Sequence, residues 1–232
     1  MTWKRTLLKA TAGIGAIAVL GTAFIGVAHT PWGKPLLKLP LLSLMAKNAG
    51  CPVGTIEPTA FEKVRTQRLQ GDVGTTEAKS HPALGFTLGA TRRTDVNAWA
   101  ERERLDCKAG FVASVLECEN VATPGAPKIA RLRLQFDGEE RLVSVDLFRN
   151  EGPAELVSRF EQLGNELDRA VGPATAAVGT PTLEFVTSSP LQTVLRSYSY
   201  RDYVAKATLM NFGKRGVRLR ETYQWLAARP PA

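Results

Sequence analysis

The chain has 232 residues and carries 30 Lys and Arg against 22 Asp and Glu, a formal net charge of +8. Residues 1–50 hold six of the basic residues and no acid, which leaves 24 basic and 22 acidic residues beyond residue 50. Because this remainder is nearly neutral, the composition argues against a nucleic-acid-binding domain, and we expect no nucleic-acid partner.

An uncharged apolar run, residues 10–28, follows a basic start. A helix over this run would span roughly 28 Å at about 1.5 Å per residue, close to the ~30 Å hydrocarbon core of a bilayer. We therefore predict that residues 1–28 form a signal anchor, a single transmembrane helix. The alternative is a signal peptide cleaved near Ala28, where small residues precede the cut. The basic residues that would hold the anchor at the inner side are Lys4, Arg5 and Lys9.

Residues 29–50 predict a segment that lies on the membrane surface. Pro35 and Pro40 prevent one continuous helix, and Trp32 suits the headgroup layer. A core helix beginning near Leu41 is the alternative. Three lysines of this Leu-rich segment could reach anionic lipid headgroups: Lys34, Lys38 and Lys47.

The same region carries a family resemblance. The motif His29-Thr30-Pro31-Trp32-Gly33-Lys34, followed by a Leu-rich turn and Val53-Gly54-Thr55-Ile56, resembles the membrane-anchored start of AsmA- and TamB-like envelope proteins. The resemblance covers residues 28–56 and includes no catalytic motif. It implies a bacterial inner-membrane protein with its globular domain in the periplasm. Lipid transport is not implied, because the likeness stops short of the long β-rich bodies of that family.

The predicted location determines the state expected for the three cysteines. Cys107 and Cys118 are separated by ten residues, a spacing that predicts a local disulfide worth about 3 kcal/mol in an oxidising compartment. Two separate buried thiols are the alternative. Cys51 would then be a free thiol or form an intermolecular bridge.

Residues 51–82 predict a short helix and a linker. Apolar residues at helical spacing favour a helix over Thr59–Gln70. Residues 71–82 are mostly polar residues and glycine, and have little to bury. A globular domain is therefore expected over residues 83–232, which is long enough for one core.

A helix followed by strands occurs twice in this domain. Thr94 can cap the first helix, and Gly152-Pro153 opens the clearest helix of the chain, which ends at Gly172-Pro173. The order predicts an α+β fold of antiparallel β-meanders with helices packed on one face, and leaves open a duplicated helix–meander unit. Alternation predicts strands at residues 111–118, 129–136, 142–148, 182–187, 193–200, 203–210 and 217–225.

A second resemblance lies within the domain. Gly89-Ala90-Thr91 ahead of Asp95-Val96, with the hairpin sequence Leu134-Gln135-Phe136-Asp137-Gly138-Glu139, resembles the small domain of the BamE-like outer-membrane assembly lipoproteins. It covers residues 89–148 and implies the fold alone. Leu105-Asp106-Cys107 replaces the Gly-x-Pro that follows the helix in that family.

Candidates for catalysis and metal binding are few. The two histidines, His29 and His81, lie in the membrane-proximal segment and in the linker, and no Cys or His pair has the spacing of zinc ligands. We therefore expect no catalytic residues, no metal and no cofactor. A membrane-associated hydrolase that uses Asp and Glu carboxylates is the alternative.

A partner surface is predicted on the strands. The pairs Arg131/Arg133 and Arg218/Arg220 form one basic surface if their strands are neighbours. Tyr198 and Tyr200 share one side of a strand. A solvated sheet face and cross-strand packing are the alternatives. The sequence thus predicts a membrane-anchored periplasmic protein that binds or scaffolds an envelope partner, or a cleaved secreted binding protein. The predicted surface residues are Arg131, Arg133, Arg218, Arg220, Tyr198 and Tyr200.

Overall fold

The structure is a computed structural model that describes residues 57–110, 112–123 and 126–227. These residues belong to one compact unit. They contain four α-helices and ten strands: α1 (Pro58–Leu69), β1 (Pro82–Ala83), β2 (Phe86–Thr87), α2 (Arg93–Arg102), β3 (Cys107–Ala109), β4 (Val115–Thr123), β5 (Ala126–Phe136), β6 (Leu142–Arg149), α3 (Pro153–Val171), β7 (Ala176–Val178), α4 (Leu183–Thr187), β8 (Thr193–Ser199), β9 (Tyr203–Asn211) and β10 (Val217–Trp225).

Eight of the strands form one antiparallel sheet in the order β3-β4-β5-β6-β10-β9-β8-β7, and β1 pairs only with β2. Strand residues alternate between the two faces of the sheet. The inner face carries the apolar core, and its central positions are fully buried. The core side chains of the four central strands include Leu132, Leu134, Val145, Leu147, Leu219, Tyr223, Ala205 and Leu209.

Helix α3 covers the inner face. Pro153 stands in its first turn, where a missing N–H costs nothing, and Gly172 ends it with φ +111°, a backbone angle that side chains disfavour. The predicted helix between Gly152-Pro153 and Gly172-Pro173 is confirmed. Its buried stripe, at helical spacing, is Leu156, Phe160, Leu163, Leu167 and Val171.

Helix α1 lies on the outer face, so helices cover both faces of the sheet rather than one. Glu62 accepts a hydrogen bond from Gln135 Nε2 at 3.1 Å, and Arg65 donates to Gln224 Oε1 at 3.0 Å. Both glutamines alternate with core residues along β5 and β10. The expectation of helices on one face is therefore wrong, because α1 makes polar contacts that its weak apolar pattern did not predict.

The sheet order is consistent with the duplicated helix–meander unit that the sequence leaves open. Strands β3–β6 before α3 and strands β7–β10 after it each form an antiparallel meander, and the pairing of β6 with β10 joins the two meanders into one sheet. The fold is α+β with a large antiparallel sheet.

The predicted transmembrane helix is not supported. Residues 1–28 lie outside the described residues, as do the predicted membrane-surface segment 29–50 and Cys51. Among the helices that the structure describes, none is long and apolar enough to cross a bilayer. The longest, α3, has 19 residues and a charged face.

The segment predicted as a linker, residues 71–82, is packed on the domain. Ala78 N donates to Asp202 Oδ1 at 2.8 Å, and His81 Nε2 lies 2.7 Å from Asp202 Oδ2. A Cβ on Gly74 would stand 2.2 Å from the Ser199 carbonyl oxygen, so this backbone contact requires glycine. The segment has little to bury, but its polar groups pair with the turn between β8 and β9.

The predicted strand over residues 182–187 is wrong. The structure has the short helix α4 there, because the Thr182 hydroxyl accepts a hydrogen bond from Phe185 N at 3.2 Å and caps the first turn. The strands at 193–200, 203–210 and 217–225 are confirmed to within a residue at each end. The strand predicted at 111–118 begins four residues later and ends five residues later in the structure, as Val115–Thr123.

Candidate functional site

A cavity of about 290 Å³ lies between α3 and the turn that joins β1 to β2. Pro82 and Gly85 form one wall, and Leu163 and Leu167 of α3 form the opposite wall. Its floor is the inner face of β6 and β10. Four ionisable side chains and one phenol reach the cavity, namely Arg149, Arg159, Glu166, Glu221 and Tyr223.

The floor is a fully buried ion pair. Arg149 Nε donates to Glu221 Oε1 at 2.7 Å, and both side chains are 1% exposed. A second nitrogen of Arg149 donates to the Pro127 carbonyl oxygen. The pair forms at the sheet because both residues take core-facing positions, Glu221 in the middle of β10 and Arg149 at the end of β6.

Tyr223 completes the coordination of this carboxylate. Its hydroxyl donates to Glu221 Oε2 at 2.8 Å. Burial, and then the negative charge of Glu221, raises the pKa of Tyr223 well above its ordinary value. The phenol therefore stays neutral and remains a donor, so both Glu221 oxygens are engaged.

Arg159 stands above the floor on α3. Its two terminal nitrogens donate to the Glu166 carboxylate at 2.8 and 3.2 Å, a bidentate pair. Its Nε lies 4.0 Å from Glu221 Oε1 and is buried without a hydrogen-bond partner. Burial lowers the pKa of Arg159, but the hydrogen bond to Glu166 and the charge of Glu221 outweigh burial and raise this pKa above its ordinary value.

The two arginine contacts differ in exposure. Glu221 is buried, whereas the Glu166 side chain is 54% exposed. An exposed carboxylate can leave Arg159 for water at little cost, since exposed ion pairs contribute little. The guanidinium of Arg159 is thus a fixed cation with an exchangeable partner, and its planar fork matches the geometry of a carboxylate.

A wider depression of about 480 Å³ lies along the first turns of α3, on the other side of Arg159. Glu151 and Glu155 stand in its wall, and both are exposed. Among the described residues that line this depression, Arg159 is the one cation, so the cavity at the β1–β2 turn is the better candidate site.

Sequence reasoning did not single out this site. The sequence signal for the site is a charged residue at a core-facing strand position. Glu221 lies between the core residues Leu219 and Tyr223, and Arg149 continues the series of every second residue that begins with Val145 and Leu147. Which partner each charge would find depended on the pairing of β10 with β6, and that strand order is a tertiary property.

The predicted basic surface is brought together in part. Arg131 on β5 and Arg220 on β10 flank the same residue of the intervening strand, Phe148. Arg220 lies over the Phe148 ring at 5.2 Å, and donates to Asp146 at 2.9 Å. The hydrogen bond to Asp146 raises the pKa of Arg220 despite its partial burial.

The remaining surface arginines have different surroundings. Arg133 is paired with Glu117 at 2.7 Å. Arg218 lies over the Phe212 ring at 5.6 Å, and its Nε is buried without a hydrogen-bond partner. The predicted arginines therefore share the outer face, but two of the four are neutralised by acids.

The predicted tyrosines do not face a ligand surface. Tyr198 is fully buried, and its hydroxyl donates to Asp168 at 2.8 Å and to the Gly164 carbonyl at 3.1 Å. Tyr200 donates to the Val171 carbonyl at 2.6 Å. Both rings fasten β8 and its turn to α3, because their side of the strand is the inner face.

Cys107 and Cys118 are directly opposed on β3 and β4, with their sulfur atoms at disulfide distance and their Cα atoms 4.1 Å apart. Opposed positions of an antiparallel pair are among the few places where a short loop brings two cysteines this close. The pair has the geometry that the predicted disulfide requires.

No group of three or more metal-ligating side chains occurs in the described ranges. Comparison of the chain with protein-family models, with curated proteins and with solved structures yields no match.

Proposed function

We propose that this chain is a binding protein of an oxidising, extracytoplasmic compartment, and that it holds a small organic acid in the cavity between α3 and the β1–β2 turn. The observation that carries the proposal is Arg159: a fixed guanidinium in a cavity wall whose bidentate partner, Glu166, is exposed and exchangeable. A ligand carboxylate takes the place of Glu166, whose side chain turns into solvent.

The walls favour an acid with a short apolar body. Leu163, Leu167 and Ala170 line the α3 side, and Pro82 lines the other. A volume of about 290 Å³ lies just below the range of roughly 300–1,000 Å³ for ligand pockets, so the ligand is small. A ligand the size of hexanoate or benzoate satisfies both conditions, with its carboxylate on Arg159 and its body between the apolar walls.

The compartment is argued from the cysteines. Disulfides persist in exported proteins and are rare in the cytosol. The opposed pair on β3 and β4 is consistent with the exported state that the sequence predicts. An envelope partner for the arginines of the outer face remains a prediction.

A carboxylate hydrolase is less well supported. Glu166 and Glu221 both line the cavity, but each is held by an arginine, and Glu221 also accepts from Tyr223. A carboxylate catalyst must exchange a proton directly with its substrate, whereas each of the four carboxylate oxygens here accepts a hydrogen bond from a protein side chain.

The test is calorimetric titration of the full chain with hexanoate and benzoate. Arg159→Gln removes the fork and should weaken binding about tenfold or more, the loss of a charge-assisted hydrogen-bond pair. Glu166→Ala removes the competing carboxylate and should tighten binding several-fold. These opposite shifts from two members of one ion pair distinguish a ligand on Arg159 from nonspecific binding.

Arg133→Gln is the matched control, because it removes the same charge from an ion-paired arginine of the outer face. It should leave the affinity unchanged. Thermal unfolding of each variant shows whether the fold is retained, and Arg159→Lys keeps the charge while removing the fork. If Glu166→Ala does not change the affinity for either acid, the proposal is wrong.

A further inference from the structure

One end of the sheet presents two large apolar side chains to solvent. This tip consists of residues 189–192, before β8, and residues 211–216, which comprise the last residue of β9 and the turn that leads to β10. Leu191 is 71% exposed and Phe212 is 42% exposed. Single exposed apolar residues are ordinary, but two on adjacent loops form an apolar patch, and such patches are typical of interaction sites.

The tip is held rigidly by a buried asparagine. Asn211 donates through Nδ2 to the carbonyls of Val186 and Ser189, both at 3.1 Å, and accepts from Gly213 N at 2.8 Å. Leu191 N donates to the Asn211 carbonyl at 2.7 Å. The two loops therefore form one structure, and their exposed side chains are presented by a fixed backbone.

Leu191 is held against its conformational preference. Its φ is +66°, in the left-handed region that a leucine rarely adopts. A glycine or asparagine would suit that backbone better, and a polar residue would suit the exposure better. A leucine that is both strained and exposed points to a role for its side chain outside the fold.

Three cations lie in the β9–β10 turn that carries Phe212 and at the start of β10. Lys214 and Arg215 are exposed in the turn and have no ion pair among the described residues, and Arg218 covers the Phe212 ring at 5.6 Å. Neither segment of the tip contains an acidic residue. The tip is thus an apolar centre within a basic rim.

We infer that this tip docks on an anionic lipid surface, with Leu191 and Phe212 at the boundary between headgroups and acyl chains and with Lys214 and Arg215 on the headgroups. Basic side chains around a few exposed apolar ones fit such a surface, because the cations meet lipid phosphates while the apolar groups leave water. Residues 1–50 of the chain are a poor occupant, since they are basic and contain no acid. The inference is independent of the cavity and its ligand.

The test places a fluorescent reporter at the tip of the full chain. Phe212→Trp is mixed with vesicles of brominated phosphatidylglycerol or brominated phosphatidylcholine. The parent chain is measured in the same way, and the fluorescence of its four tryptophans is subtracted. Glu139→Trp, in the β5–β6 turn at the opposite end of the sheet, is the matched reporter. We expect the Phe212→Trp signal to be quenched by the anionic lipid and the Glu139→Trp signal to be unaffected.

Charge reversal then tests the rim. Lys214→Glu with Arg215→Glu, added to the reporter, should reduce quenching to the level of the Glu139→Trp control. The matched reversal Arg102→Glu with Lys108→Glu, two exposed cations far from the tip, should not. Leu191→Ser should reduce quenching without changing the net charge.

Three results would overturn the inference. The first is equal quenching of both reporters, and the second is quenching that survives reversal of Lys214 and Arg215. The third is binding of soluble poly-glutamate at the tip that Leu191→Ser does not weaken, which would assign the tip to an acidic protein partner instead.

Discussion

At the scale of single residues, the Arg149–Glu221 pair is the most consequential contact of the domain. Two buried charges lose their hydration, and an apolar pair of similar size often stabilises a core as well or better. Here the pair is fully coordinated, since Arg149 also donates to Pro127 and Glu221 also accepts from Tyr223. It fixes the floor on which the candidate cavity stands.

Removing one partner of this pair should therefore be costly. Glu221→Ala leaves Arg149 buried without its counter-ion, and we expect the free energy of unfolding to fall by about 3–5 kcal/mol. Denaturant unfolding followed by circular dichroism measures the change. Glu117→Ala, which frees the half-exposed Arg133, is the control and should cost less than about 1 kcal/mol.

The double replacement distinguishes charge from packing. Arg149→Met with Glu221→Leu removes both charges, so most of the lost stability should return. If the single Glu221→Ala variant is as stable as the control, the pair does not stabilise the domain as described.

At the scale of elements, β3 depends on its covalent link. It has three residues, pairs only with β4, and forms one edge of the sheet. Such short edge strands gain few hydrogen bonds, and the opposed Cys107 and Cys118 supply the missing constraint.

Loss of the bridge should loosen this edge. Cys107→Ala with Cys118→Ala should lower the free energy of unfolding by about 3 kcal/mol, because the unfolded chain regains the freedom of the closed loop. Hydrogen exchange should accelerate first in β3. The control is Cys51→Ala, which leaves the bridge in place. Thiol labelling that finds both cysteines free in the folded, exported protein would contradict the prediction.

Some helices and strands can be predicted from their sequence pattern alone, and others cannot. The long amphipathic helix α3 and the strand Val217–Trp225 follow directly from periodicity, because every buried position repeats on one face. Residues 182–187 have the composition of a strand, but the single hydroxyl of Thr182 caps a helix there. A local hydrogen bond outweighs weak propensity in a segment of this length.

At the scale of the whole molecule, three tyrosine hydroxyls link the sheet to the segments that pack against it, and a fourth bonds within the sheet. All four tyrosines of the chain donate through their hydroxyls: Tyr198 and Tyr200 to α3, Tyr203 to the Pro82 carbonyl of β1, and Tyr223 to Glu221. Burial raises the pKa of each one above its ordinary value, and nearby acids add to the rise for Tyr198, Tyr200 and Tyr223.

This arrangement predicts the alkaline stability of the fold. A raised pKa in the folded state means that the stabilising contribution is complete below the unfolded pKa of about 10 and is lost as the pH rises above it. We expect stability to decline above about pH 10, with tyrosinate absorbance and loss of circular dichroism appearing together. The control in guanidinium chloride should titrate all four phenols near pH 10. Native tyrosines that ionise there with the fold intact would refute the assignment.

The sequence by itself determined the local elements of this protein: the apolar stripe of α3, the alternating strands and the spacing of Cys107 and Cys118. These depend on residues close together in the chain, so periodicity and spacing suffice to predict them. Only the tertiary structure decided the single sheet, the pairing of Arg149 with Glu221 and the ordered segment 71–82. Each of these joins residues far apart in sequence, and a buried charge gives no local sign of which distant partner compensates it.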